Sequence, residues 1–332
     1  MNFSFYSADT PELINQLAAT PEMLRLDDIG MHCGCEYAAY PLYTQAINPY
    51  SRLIHSIGVA RIVWKHTRDL TQAVAGLLHD IATPVFAHTI DFMNNDHMSQ
   101  ESTEEKTLQF IESSNPIMSL LKKYDIKAHD VGDYHVYPIA DNNTPMLSAD
   151  RLEYTLGNAY SLFKVSPQRL DAIYSDLTIS QNEHNMPELC FRSANTAKSF
   201  TELALRNSYL YVADSDRFLM QYLADIVRRA IESDVLTIDD LYTTENIVIA
   251  KMTQNKEIML EWNKYRSISS VSISPTKPPD CYSVKISAKK RYIDPLILTN
   301  TGFVRISEFD VKLGSDIAAF LEMPFDYWIY SE

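Results

Sequence analysis

Eight glycines among 332 residues leave this chain few ways to cradle a phosphate with bare backbone. Loops that do so need glycine at fixed spacings, where amide groups must approach the ligand closely. Neither G-x-x-x-x-G-K-[ST] nor G-x-G-x-x-G occurs, so P-loop and Rossmann folds are excluded. The chain offers helix instead. Leu53, Ile57, Ala60 and Trp64 share one face of a helix over 53–66. Residues 71–78 form an apolar run that suits a buried helix ending at His79-Asp80. Thr83-Pro84 reads as a new helix start, with Thr as N-cap and Pro in the first turn. Ser102 and Glu105 read as a capping box for a helix through Ile111. A long amphipathic helix is expected over 201–233, and Thr237 with Asp240 starts another.

Gly132, Pro138, Asn142, Asn143 and Pro145 mark residues 127–145 as a loop excursion with room for a short strand. A second break, rich in Ser, Pro and Thr, covers 267–280. Beyond it Tyr282, Val284 and Ile286 alternate with Ser283, Lys285 and Ser287, the period of a half-buried strand. The expected architecture is therefore mainly α over 1–265, followed by a small α/β appendage over 266–332 with a helix near 316–321.

A net charge of −14 repels nucleic acid and anionic membrane, so neither is expected as a partner. No apolar run reaches the roughly 18–20 residues of a membrane span. The start Met1-Asn2-Phe3-Ser4 has no basic segment followed by an apolar core, so a cytoplasmic location is expected. The four cysteines, Cys33, Cys35, Cys190 and Cys281, read as free thiols. A metal role for Cys33 and Cys35 with His32 lacks an evident second ligand pair.

His79-Asp80 carries the chemistry. An adjacent imidazole and carboxylate at a helix end can meet one cation from two directions, and the pair suits a first-row divalent metal. His55 lies upstream in an amphipathic helix, and Asp150 precedes Arg151-Leu152-Glu153-Tyr154. Taken singly, each has a plainer explanation: a core histidine, a helix cap, a chance dipeptide.

Their order and flanks resemble the HD-domain metal-dependent phosphohydrolases, and within them the deoxynucleoside triphosphate triphosphohydrolases. Arg52-Leu53-Ile54-His55-Ser56-Ile57-Gly58-Val59 is similar to R-x-x-H-S-x-G-V. Leu77-Leu78-His79-Asp80-Ile81 with Pro84-Val85-Phe86-Ala87-His88 is similar to L-L-H-D-I-G-H-x-P-F-S-H. Ser148-Ala149-Asp150-Arg151-Leu152-Glu153-Tyr154 resembles the family's D-x-D-[RK]-x-D-Y, and the stretch from Pro21 to Pro41 resembles its P-x-x-x-R-L entry helix and loop. The resemblance covers about residues 10–160 and continues weakly to about 250. It implies an HD-domain helical bundle. It implies a divalent ion (manganese, iron, nickel, zinc or magnesium) on His55, His79, Asp80 and Asp150. It implies phosphate contact by Arg52, a phosphate-contacting His88 with Asp91 as its carboxylate partner, and proton transfer by His97. It places Arg151 and Tyr154, and more weakly Arg206 and Tyr211, around a nucleotide. It also implies a homodimer or larger homo-oligomer. His32, His66, His129, His135 and His184 have no counterpart and read as structural or surface residues.

The pattern departs in places. Thr83 stands where relatives carry a second histidine, and Ala82 replaces a glycine. The glutamine that reads deoxyribose in relatives is absent from Gly30-Met31-His32-Cys33-Gly34-Cys35, and Asn158 stands where a carboxylate is frequent. Alternative readings are an HD nucleotidase or phosphodiesterase, or a nucleotide-binding regulatory module with little turnover. Lys289-Lys290-Arg291-Tyr292-Ile293-Asp294-Pro295 resembles a stretch found near oligomer contacts or nucleotide sites in relatives. It reads equally well as a solvated basic strand end.

Overall fold

The computed structural model describes residues 6, 9–47, 50–98, 106–300 and 302–331. Helix α1 (Arg52–Thr67) starts where the Ser51 hydroxyl accepts the Ile54 amide, and stops where Arg68 turns left-handed at φ 56°. Asp69 caps the next helix, α2 (Leu70–Leu78), by accepting the Gln72 amide at 3.1 Å. The two pack side by side through Val59, Val63, Val74 and Leu77, all fully buried. Each such side chain contributes about 1.5–3 kcal/mol of burial. Helix α3 (Ala149–Ser161), capped by Ser148, packs on α1 from the other side. These three elements carry the four expected ligands.

The helix expected at Thr83-Pro84 does not form. Arg25 binds the carbonyls of Ile81 and Thr83 at 2.8 and 2.9 Å, and the Ala87 amide donates to Pro84 O at 3.0 Å rather than to Thr83 O. Phe86 and Ala87 are left-handed at φ 59° and 43°, and the helix begins only at Thr89 (Thr89–Met93). Ser102 and Glu105 lie outside the described residues; a helix over Thr107–Ser113 is present. The region 127–145 holds a short helix (Ala128–Val131) and a 3-10 turn (Tyr134–Val136) rather than a strand. The helix expected over 201–233 is two: α4 (Ala194–Tyr211) and α5 (Asp214–Glu232). Fully buried Arg217 donates its Nε to Val212 O at 3.1 Å and holds the break open. Thr237 and Asp240 do cap each other, but they begin only a 3-10 turn, Asp239–Tyr242.

A hairpin, β1 (Leu177–Gln181) and β2 (Pro187–Phe191), interrupts the segment expected to be helical. After the helices come β3 (Ser272–Ser274), β4 (Ser283–Val284), β5 (Leu296–Thr299), β6 (Gly302–Arg305), α6 (Val311–Leu321) and β7 (Trp328–Tyr330). One sheet has the order β1-β2-β5-β6, with β2 and β5 parallel in the register Cys190 to Leu296. The other is β3-β7-β4. The C-terminal segment is thus paired directly with a hairpin from the helical part. Arg305 of β6 strengthens the joint, donating to fully buried Glu188 of β2 at 2.7 and 2.9 Å.

Candidate metal centre and its cavity

His55, near the start of α1, and His79 and Asp80, at the end of α2, each offer one ligand atom within 4.8 Å of the others. Asp150, in the first turn of α3, completes the group. Its Oδ1 lies 3.0 Å from His55 Nε2 and 3.7 Å from His79 Nε2. Asp80 Oδ2 lies 4.0 and 3.6 Å from the same two nitrogens. The structure therefore brings together all four residues named from the sequence.

The second nitrogen of each ring decides which atom faces the group. His79 Nδ1 is 2.8 Å from Gly76 O, a carbonyl that can only accept, so Nδ1 donates there and Nε2 is the nitrogen that faces the group. His55 Nδ1 lies 2.5 Å from Glu153 Oε2. Glu153 is fully buried and is held in turn by hydroxyls of Tyr50 and Tyr6. Sequence reading gave Glu153 no role. The available signal was its spacing from Asp150, since positions three apart share a helix face. Gly58 makes room for it: a Cβ there would sit 2.5 Å from Glu153 Oε1.

Burial opposes charge on His55, but Glu153 and Asp150 outweigh it and push the imidazole up to about 10. Burial likewise opposes the charged forms of both aspartates. Arg52, His79 and His55 nevertheless hold Asp80 well below the carboxylate range, and His55 draws Asp150 down to about 2. A divalent cation would displace the proton that the carboxylates hold on His55, and the mixed nitrogen–oxygen set suits a first-row metal.

Arg52, one turn before His55, is buried and donates to Asp80 at 3.1 and 3.4 Å. Thr83 donates its hydroxyl to Asp80 Oδ1 at 2.8 Å. It steadies that carboxylate and offers no proton-transfer ring.

The group opens into a cavity of about 580 Å³. His88, His97, Tyr154 and Tyr211 line it along with Arg52. His88 Nδ1 pairs with buried Asp91 at 2.9 Å, which leaves Nε2 as the nitrogen able to meet a ligand. Burial lowers the His88 pKa. His97 packs its ring 5.3 Å from Phe92, and the carboxylate acting on it is Asp96, while Asp91 is bonded to His88. Arg151 does not line the cavity. Its guanidinium holds Asn142 and the Met146 carbonyl, bracing the loop before α3. Arg206 is likewise elsewhere, stacked 3.9 Å over Phe163. Two histidines read as structural or surface residues do line the cavity. His32 bonds Asn158 at 3.2 Å, and His135 follows Tyr134, whose ring lies 4.7 Å from that of His79. Lys289 and Arg291 line it as well. They come from a segment more than a hundred residues from the ligands in sequence.

No known family model matches the chain. It is 24% identical to the uncharacterized protein YdhJ of Bacillus subtilis over 267 residues, 79% of each chain. It is 27% identical to the metal-dependent phosphohydrolase cns2 of Cordyceps militaris over 166 residues, 48% of this chain and 44% of that one. Among solved structures, a phosphohydrolase from Bacteroides thetaiotaomicron superposes with a TM-score of 0.69 at 15% identity, covering 100% of this chain and 98% of that one. A hypothetical protein from Aquifex aeolicus superposes with a TM-score of 0.66 at 17% identity, covering 97% and 93%. This chain shares their fold. The mainly α architecture with small C-terminal sheets is that expected from the sequence. The appendage is joined to the body more closely than a boundary at 265 implies. Among the described residues, no helix is long and apolar enough to cross a membrane.

Proposed function

We propose that this protein is a metal-dependent phosphohydrolase of the HD type acting on nucleotides, with triphosphohydrolase-like activity. One observation carries the reading: two imidazoles and two carboxylates from three helices converge beside a buried guanidinium at the wall of a cavity. The names of cns2 and of the Bacteroides structure support the phosphohydrolase class.

His55, His79, Asp80 and Asp150 would hold the ion. When bound, it supplies Lewis acidity to phosphoryl oxygens and acidifies water. Arg52, fixed by Asp80, offers a planar donor fork to those oxygens as charge develops. Burial lowers the His88 pKa, which favours the uncharged ring. It can therefore accept the proton of the attacking water while Asp91 steadies the resulting imidazolium. Water oxygen bonds to phosphorus, the bond to the leaving oxygen breaks, and that oxygen takes up a proton, which this reading has His97 relay from solvent. The same reading includes a homo-oligomer in solution, which light scattering measures.

The test is a nucleotide panel on metal-stripped protein reloaded with manganese, iron, nickel, zinc or magnesium. Release of tripolyphosphate from deoxynucleoside triphosphates is the expected outcome. Absence of both metal uptake and turnover on every nucleotide would sink the reading. The commitment of Thr83 to Asp80 favours a second reading, a nucleotidase, a phosphodiesterase or a slow regulatory module. Phosphate released from monophosphates, hydrolysis of diesters, or binding without turnover separates these.

A further inference from the structure

The helices that bear the ligands pack into one hydrophobic core, while α5 belongs to a second. Cys33, Tyr43, Ala87, Phe92, Leu210 and Met220 of that second core line the cavity. Asp216, in the first turn of α5, lines it with them. It is only 6% exposed. The Tyr43 hydroxyl donates to Oδ1 at 2.5 Å and the Ser215 hydroxyl to Oδ2 at 3.2 Å. Among the described residues, no arginine, lysine or histidine pairs with it.

An acid buried without a cation is costly in its ionised form. The titratable groups around Asp216 do not relieve that cost. They are Cys35 and Glu36 beside Gly34, Tyr43, and Tyr265 of the helix Lys256–Ser267, and none of them is a cation. Burial, aided by Glu36 and opposed by the two hydroxyls, raises the Asp216 pKa to about 7. Asp80 and Asp150 line the same cavity and go the other way, because histidines face both and Arg52 faces Asp80. The cavity thus holds two kinds of carboxyl, ionised at the ligand group and largely protonated below about pH 7 on α5.

A protonated carboxyl has one O–H to give. The bonds from Tyr43 and Ser215 both use Asp216 as an acceptor, so that O–H is left for a ligand. Apolar pockets with a few placed polar groups take their selectivity from those groups.

We propose that Asp216 is a specificity-determining residue, donating its O–H from the apolar wall to an acceptor atom, a ring nitrogen or a carbonyl, on the organic part of the substrate. This rests on the phosphohydrolase reading, which puts the phosphate at the ligand group and leaves the organic part for the α5 wall. A substrate without an acceptor there leaves the buried acid unpaired and binds less well for that reason.

Nucleosides carry the organic part without phosphate. Calorimetric titration of adenosine, guanosine, cytidine and uridine into the metal-stripped protein therefore tests this wall without catalysis. For the nucleoside that binds best, Asp216→Ala should weaken affinity about tenfold, the scale of one hydrogen bond to a buried partner. Asp216→Asn should stay within about threefold of wild type at about pH 6, because an amide N–H stands in for the acid O–H. Wild-type affinity should fall as pH rises from about 6 to about 8.5, and that of Asp216→Asn should not. Circular dichroism and thermal melting establish that the variants fold. The proposal is overturned if no nucleoside binds, if Asp216→Ala binds as tightly as wild type, or if Asp216→Asn is as weak as Asp216→Ala. An equal fall with pH in wild type and Asp216→Asn overturns it too. So does a wild-type affinity that rises with pH, the mark of an ionised carboxylate holding a cationic group. Failure of every ester to turn over would end the phosphohydrolase reading and leave these binding differences standing.

Discussion

His55 Nδ1 lies 2.5 Å from the fully buried carboxylate of Glu153, and that contact turns the opposite nitrogen of the ring toward Asp150 and Asp80. Partners of this kind fix the tautomer and raise ligand basicity, and their loss costs about 10–100-fold in metal affinity. Glu153→Gln should therefore weaken metal binding by that factor while all four ligands remain. Gly58→Ala should act in the same direction, because its Cβ would meet the Glu153 carboxylate at 2.5 Å. Titration with a competing chelator measures both; wild-type affinity in Glu153→Gln would refute the orienting role.

Asp80 is both a candidate ligand and the partner of buried Arg52. Removing it leaves a buried guanidinium unpaired, which costs about 3–5 kcal/mol. Asp80→Ala should lose metal binding and turnover and also unfold at lower denaturant concentration. Adding Arg52→Met should restore part of the stability and none of the metal binding. Chemical denaturation and elemental analysis read the two effects separately.

Arg52→Ala alone should raise KM and lower kcat if the guanidinium meets phosphate oxygens in both the ground and transition states. Steady-state kinetics on whichever nucleotide turns over decides this. Unchanged constants would remove Arg52 from the mechanism.

Asp216, in the first turn of α5, has its carboxyl raised by burial from 3.8 to about 7, and the Tyr43 hydroxyl donates to it at 2.5 Å. Between those two values the folded state holds a proton that the unfolded state has released. Its contribution is therefore greatest below about pH 4, declines as pH rises toward 7, and levels off above. Asp216→Asn should flatten that part of the stability–pH curve, measured by denaturant unfolding from pH 5 to 8. An unaltered slope would show that the aspartate ionises normally.

Arg305 joins the C-terminal sheet strands to the internal hairpin through Glu188 and Glu183. Arg305→Ala strands the fully buried Glu188 and should destabilise the whole protein by about 3 kcal/mol or more. One cooperative transition, seen in both tryptophan fluorescence and helical circular dichroism, is expected. Two separate transitions would mean that the segment after 265 folds independently.

The sequence by itself determined the helices that carry the ligands. Apolar periodicity over 53–66 and 71–78 is a local signal, and helix formation answers to local signals, as the caps at Ser51 and Asp69 in the structure also show. It also named His55, His79, Asp80 and Asp150, through the order and flanks of their motifs. Tertiary structure decided what depends on partners far away in the chain. Left-handed Phe86 and Ala87 break the helix expected at Thr83-Pro84, and Arg25 holds the Thr83 carbonyl from a distant segment. Arg217 splits the long helix at Val212. The hairpin over 177–191 has its strand partner more than a hundred residues later. The same holds at the site. Glu153 was three residues from a named ligand, but its meaning lay in a ring on another helix. Lys289 and Arg291 line the cavity from the segment between β4 and β5, which Arg217 holds at Ile286 and Lys290 holds at Leu321 and Met323. Arg151, beside a ligand in sequence, instead braces its own loop. Spacing along a helix fixes which face a residue occupies; only the packing of distant segments fixes what that face meets.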